Sequence, residues 1–123
     1  MLKSVLGVTL AAFATAASAQ PYSAGEMQVL LAKGLVVSSS DIDGGKTFTA
    51  NITLASNGEL TGSLKPAGNN ALTVSGKWKL KGAQVCRTLE PIQPEEICET
   101  WVKSGPKQAT IQVDGKNVSV NRW

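Results

Sequence analysis

The sequence predicts a mainly β protein: one short N-terminal helix packed on a six- or seven-stranded antiparallel sheet, strongly curved or closed into a small barrel. Three observations carry this expectation. Apolar and polar residues alternate with a period of two over most of the chain after Thr47. Asn57-Gly58 and Asp114-Gly115 each sit between two such runs and mark tight hairpins. Helical spacing appears in a single stretch of the mature region, between Ser23 and Gly34.

That stretch opens with Ser23-Ala24-Gly25-Glu26, the form of a capping box, in which Ser23 accepts from the Glu26 backbone and Glu26 reaches back. Met27, Leu30 and Leu31 make an apolar stripe, with Ala24 on the same side. Lys33 suits the negative end of the helix dipole, and Gly34 ends the helix. At about ten residues such a helix is marginal alone and must pack on something.

The strands follow in order. Phe48, Ala50, Ile52 and Leu54 alternate with Thr47, Thr49, Asn51 and Thr53. Leu60, Gly62 and Leu64 form the return strand, and Pro66 to Asn70 has loop composition. Leu72, Val74, Gly76, Trp78 and Leu80 make the longest alternating face, with Gly76 marking a bend or bulge. Val85–Leu89 and Ile97–Val102 read as a pair joined by the proline-containing loop Glu90 to Glu96. Ile111 and Val113 pair with Val118 and Val120 across Asp114-Gly115.

Residues 1–19 read as a cleaved secretory signal peptide and residues 20–123 as a single β-rich domain. Lys3 supplies the positive start, an apolar stretch runs from Val5 to Ala14, and Ala17-Ser18-Ala19 is a small-x-small cleavage site. At roughly ten residues the apolar run is too short to cross a bilayer as a helix. The expected location is periplasmic or secreted, and the chain is not expected to span a membrane.

Composition narrows the chemistry. The full chain has 12 Lys+Arg, 9 Asp+Glu and no histidine. A Ser-His-Asp triad, a histidine base and a histidine–metal site are therefore excluded. The positive charge is small, its lysines are spread along the chain and aromatic stacking platforms are few, so no nucleic-acid partner is expected. No cofactor and no metal site are expected.

Cys86 and Cys98 are the only cysteines, and export makes a disulfide between them chemically reasonable. Closing so short a loop stabilises the fold by about 3 kcal/mol on the chain-entropy model. A redox pair lacks the C-x-x-C spacing, and a zinc site lacks ligands.

Several clusters remain as candidate sites. Lys77, Lys79 and Lys81 share one strand face, which could hold an anionic ligand or membrane surface, or could simply be solvated. Glu90, Glu95, Glu96 and Glu99 surround the disulfide loop and could pair with those lysines; Glu90 with Glu95 or Glu96 could be searched for a glycosidase pair, though a Pro/Glu loop offers little burial to raise a carboxylate pKa. Asp41-Ile42-Asp43-Gly44-Gly45 resembles the start of a calcium loop, but Gly45 and Ile52 stand where an EF-hand needs oxygen ligands, so it reads as a turn. Ser38-Ser39-Ser40 lacks a G-x-S-x-G setting. Trp78 falls in an apolar alternation and reads as core, Trp101 lies on the strand after Cys98, and Trp123 either closes a barrel end or is exposed for recognition. The possible binding surface is accordingly Lys77, Lys79, Lys81, Trp101 and Trp123.

The stretch Gly76-Lys77-Trp78, Cys86-Arg87 and Cys98-Glu99-Thr100-Trp101, together with the helix end Leu31–Gly34 and the turn Asn57-Gly58-Glu59, resembles a pattern in small exported proteobacterial proteins of unknown function. The resemblance implies a periplasmic β-rich domain and transfers no catalytic residues.

Together these readings favour a non-enzymatic periplasmic binding or structural protein of the cell envelope, with an envelope protein or cell-wall component as partner. Two alternatives stand beside it. A lipocalin-like carrier of a small apolar ligand would be lined by Leu72, Val74, Trp78 and Leu80. An inhibitor of a cell-wall-degrading enzyme would present the Glu90–Glu96 loop, stiffened by Pro91 and Pro94.

Overall fold

The computed structural model describes residues 20–123; the expected leader lies outside them. One helix, α1 (Ala24–Leu31), precedes eight strands: β1 (Leu35–Ser40), β2 (Phe48–Leu54), β3 (Glu59–Pro66), β4 (Leu72–Lys81), β5 (Gln84–Leu89), β6 (Gln93–Gly105), β7 (Gln108–Val113) and β8 (Lys116–Arg122). Each strand pairs antiparallel with the next, and β8 returns to β1, so the sheet is a closed up-and-down barrel.

The expectation of six or seven strands is corrected to eight. The added strand is β1, whose Ser38-Ser39-Ser40 does not read as strand because serine has little β preference. Its partners supply the order instead: six residues register with β2, and Ser38–Ser40 register with β8. The strand that closes the barrel is thus the one without an apolar alternation.

The capping box forms as expected. The Ser23 hydroxyl accepts from the Glu26 N–H at 3.1 Å, and the Glu26 carboxylate accepts from the Ser23 N–H at 2.9 Å. The helix is shorter than expected, at 8 residues. Met27 and Leu31 are buried in the core. Gly34, with a φ of 84°, turns the chain tightly past Leu54 and Ala55, where a β-carbon would stand 3.0 Å from the Leu54 carbonyl. The helix therefore sits over the barrel end that carries the β2–β3 turn.

The same end is tied from its other side. Tyr22 N–H donates to the Trp101 carbonyl at 2.9 Å, and Lys103 N–H donates to the Gln20 carbonyl at 2.8 Å, so the first residues cover the overhang of the long strand β6. The Tyr22 and Trp123 rings lie 6.2 Å apart, and Trp101 and Trp123 lie 5.7 Å apart. Lys103 pairs with Glu26 at 2.7 Å.

Both hairpin signals hold. Asp114 and Gly115 have φ of 52° and 78°, the paired left-handed residues of a tight β7–β8 turn. Gly76 is not a bulge: a β-carbon there would meet the Thr88 carbonyl, so glycine permits close approach of β5.

Candidate functional site

The residues singled out above fall in different places. Lys77, Lys79 and Lys81 do share the outer face of β4. Each has an acidic partner: Lys77 with Glu59 at 3.1 Å, and Lys79 and Lys81 with Glu96 at 3.5 and 2.8 Å. The Lys81 hydrogen bond, with the added charge of Lys79, holds the Glu96 carboxyl below its ordinary pKa. The ladder is thus largely neutralised and solvated. Trp101 contributes no surface, since it points inward and is 1% exposed. Trp123 is half-buried against Trp101 and closes the helix end. Trp78 is half-buried and donates its indole N–H to the Ala55 carbonyl at 2.8 Å.

The acidic cluster also disperses. Glu95 and Glu96 belong to β6, so the connection Glu90–Glu96 contracts to a turn at Pro91 and Ile92. Glu99 faces the interior. The Asp41 carboxylate is used by its own loop, accepting from the backbone N–H groups of Thr47 and Asp43 at 2.8 Å each and of Phe48 at 3.2 Å. These bonds, that of Thr47 foremost, hold its pKa far below the usual carboxylate range. Asp41 is therefore a loop organiser.

Cys86 and Cys98 are bonded to one another and stand directly opposite on β5 and β6, with Cα atoms 3.9 Å apart. Glu96 lies close enough that its carboxylate and both sulfurs fall within 4.8 Å of each other. With the sulfurs joined, no thiolate is left there to ligate a metal.

The disulfide has a geometric consequence. Adjacent residues of a strand point to opposite faces. The cysteines meet on the outside, so Arg87 and Glu99, one residue after each, point inside. There the Arg87 Nε–H donates to Glu99 Oε2 at 2.8 Å. Glu99 Oε1 accepts from the Trp101 indole N–H at 3.3 Å, and Arg87 Nη1 donates to Gln93 Oε1 at 3.3 Å. The Arg87 and Glu99 side chains are 20% and 8% exposed. This is a charge pair largely removed from water, which costs desolvation free energy and is kept only by such bonds.

The pair lines a cavity of about 130 Å³ inside the barrel. Its wall is divided. β2 and β3 contribute apolar side chains, among them Phe48, Ile52, Leu54 and Leu64. The other arc, from β5 and β6 and from β8 and β1, is mixed: Arg87, Glu99, Ser119, Asn121 and Ser39 stand among Val37, Val85, Leu89 and Trp101. The helix end is sealed by Met27 and Leu31. At the opposite end the inward-facing Phe48 and Leu64 are half-buried and Leu72, across from Leu64, is 39% exposed, so the barrel opens there.

This lining corrects the expected one. Leu72, Val74, Trp78 and Leu80 do not line the cavity, and Val74 is instead packed in the core. β8 is also reversed. Ser119 and Asn121 are its inward residues, and Val118, 43% exposed, points outward. Arg87 and Asn121 were not among the expected site residues, and Glu99, expected as a partner of the surface lysines, pairs with Arg87 inside instead. The available signal was the cysteine pair, because residues adjacent to an outward-facing disulfide must face the core.

Comparison of the chain with protein-family models, curated proteins and solved structures gives no match.

Proposed function

We propose that this protein is an exported, non-enzymatic binding protein of the cell envelope and that its binding site is the interior of the barrel. The observation that supports this most is the cavity itself, wholly apolar on β2–β3, with its hydrogen-bonding groups set among apolar ones on the other arc, and open at the end away from the helix. Such a space suits a ligand with one polar and one apolar side. The disulfide is compatible with an oxidising compartment.

The volume sets the scale of the ligand. Pockets for drug-sized ligands begin at roughly 300 Å³. A cavity of 130 Å³ is closer to the engineered protein cavity of ~150 Å³ that takes up benzene. The ligand is accordingly a molecule of about that size, or the end group of a larger one.

A fragment screen by 1H–15N correlation spectroscopy tests the reading. Binders are expected to shift the amides of Ile52, Leu64, Arg87 and Asn121 together. Hits confined to the outer face of β4, or none at millimolar fragment, overturn it. Native mass spectrometry of protein taken from its own compartment gives an independent readout as a co-purifying mass.

A further inference from the structure

We infer that the cavity takes an unbranched alkyl chain, entering tail first, while the polar head of the same molecule stays at the open mouth. The inference rests on the binding reading above and chooses within it: the occupant is the end group of a larger, single-chain amphiphile.

The first observation is shape. The cavity touches both Phe48 and Leu54, the first and last residues of the seven-residue strand β2. A strand of that length spans roughly 20 Å. A space of about 130 Å³ that reaches both ends of it is slender, and a slender space fits an extended chain better than a ring. The β2–β3 wall is apolar along this whole length, with Ala50 and Leu54 of β2 registered against Leu64 and Leu60 of β3. On the other arc Arg87 and Glu99 bond to one another, so their charges are matched before any ligand arrives. A chain laid on the apolar wall leaves water methylene by methylene, and each one adds to the affinity.

The second observation is the rim. Ile42, Leu72 and Ile92 are 51%, 39% and 48% exposed, and all three stand at the open end, on the β1–β2 loop, the start of β4 and the β5–β6 turn. These segments are tied in place. Asp41 accepts from the Thr47 and Phe48 N–H groups, the Ala67 N–H donates to the Thr47 carbonyl at 2.8 Å, and Ser75 and Glu90 exchange backbone hydrogen bonds. Leu72 registers with Leu64, so apolar surface continues from the rim into the cavity. Exposed apolar side chains gathered at an opening mark a place of contact with another apolar molecule. Charges of both signs surround them, Asp43, Glu90 and Asp114 with Lys46, Lys65 and Lys116, so the mouth is not a basic patch for an anionic bilayer. The width of the cavity suits one chain, which points to a free single-chain molecule as the source.

Butyl, hexyl and octyl glucoside share an uncharged head and differ in tail length. Titrated below their micelle-forming concentrations into isotopically labelled full-length protein, they are expected to shift cavity amides. Affinity should rise about fourfold per methylene from butyl to hexyl. Cyclohexyl glucoside, with the same number of tail carbons as hexyl, should bind at least thirtyfold more weakly than hexyl glucoside. Nuclear Overhauser contacts should join the octyl terminal methyl to Leu54 and Leu60, and the sugar to Leu72 and Ile92. Ala50→Phe, which fills the middle of the cavity, should remove the dependence on tail length, and its amide spectrum reports whether it folds. Vesicles of a diacyl phosphatidylcholine should leave the cavity amides unshifted.

Hexyl binding no tighter than butyl, cyclohexyl matching hexyl, or the sugar found at Leu54 and Leu60 overturns the chain assignment and leaves the binding site standing. Vesicles that shift the cavity amides as strongly as octyl glucoside overturn the free chain as the source. Failure of every glucoside to shift cavity amides, together with an empty fragment screen, overturns both readings.

Discussion

Arg87 donates to Glu99 across 2.8 Å inside the barrel, and the residue before each of them is a cysteine of the bond on its outside. One covalent link therefore sets the register of β5 against β6 and holds an ion pair at the cavity wall.

Breaking that pair from one side leaves a charge with little access to water. Arg87→Met is expected to cost about 2–4 kcal/mol, somewhat under the usual cost for a wholly buried pair because Arg87 keeps some solvent. Adding Glu99→Gln to Arg87→Met should restore part of the loss. Urea denaturation of the two single variants and the double variant gives the coupling; strictly additive losses would remove the pair from this account.

Replacing both cysteines by alanine should lower stability by about 3 kcal/mol in the chain-entropy estimate. A second effect is expected on register: amide shifts at Arg87 and Glu99 should change more than those of β2 and β3. A spectrum perturbed only at positions 86 and 98 contradicts the claim that the bond positions the pair.

The helix is anchored by two side chains. Met27→Ala removes a fully buried side chain and should cost about 2–5 kcal/mol. Val29→Ala, on a side chain 80% exposed in the same helix, should stay within about 0.5 kcal/mol. Thermal unfolding of the pair checks this, and equal losses would show that the helix does not plug the barrel through Met27.

Asp41 makes the β1–β2 loop sensitive to acid. Its folded pKa is lowered by the backbone N–H groups of Thr47, Phe48 and Asp43, so its contribution is complete above the ordinary aspartate pKa of about 4. The contribution is lost as pH falls further, toward the lowered value. Asp41→Asn should therefore be less stable than the wild type at pH 7, with the gap shrinking below about pH 4. A gap independent of pH, measured by urea denaturation across that range, rules the mechanism out.

On the outside, replacing Lys79 and Lys81 by methionine should raise the Glu96 pKa, since these lysines are what holds it down, read from its side-chain carbon shift. Stability should change by less than about 1 kcal/mol, because these pairs are solvated. A larger loss would give the lysine ladder a structural weight that its exposure does not suggest.

The parts of the fold legible in the sequence are those where one face is apolar and one is wet. β2, β3 and β4 alternate cleanly because their inner faces meet the core or the apolar wall. Ser23 and Glu26 disclosed the helix start because a cap is a local device. Legibility fails on the polar arc of the cavity. β8 turns Ser119 and Asn121 inward and Val118 outward, which inverts the pattern that marks a strand's buried face, whereas β1 keeps Val37 inward and is hidden by its three serines. A strand whose inside is a polar wall does not look half-buried. The same inversion hid Arg87 and Glu99, whose charge made them read as surface.

The rings of Tyr22 and Trp123 bring the first and last parts of the described chain together at the sealed end of the barrel. A tether, reporter or fused domain attached after Trp123 would therefore leave the open mouth pointing away from it. The protein could then be displayed on a surface by its sealed end while its cavity stays accessible to solution.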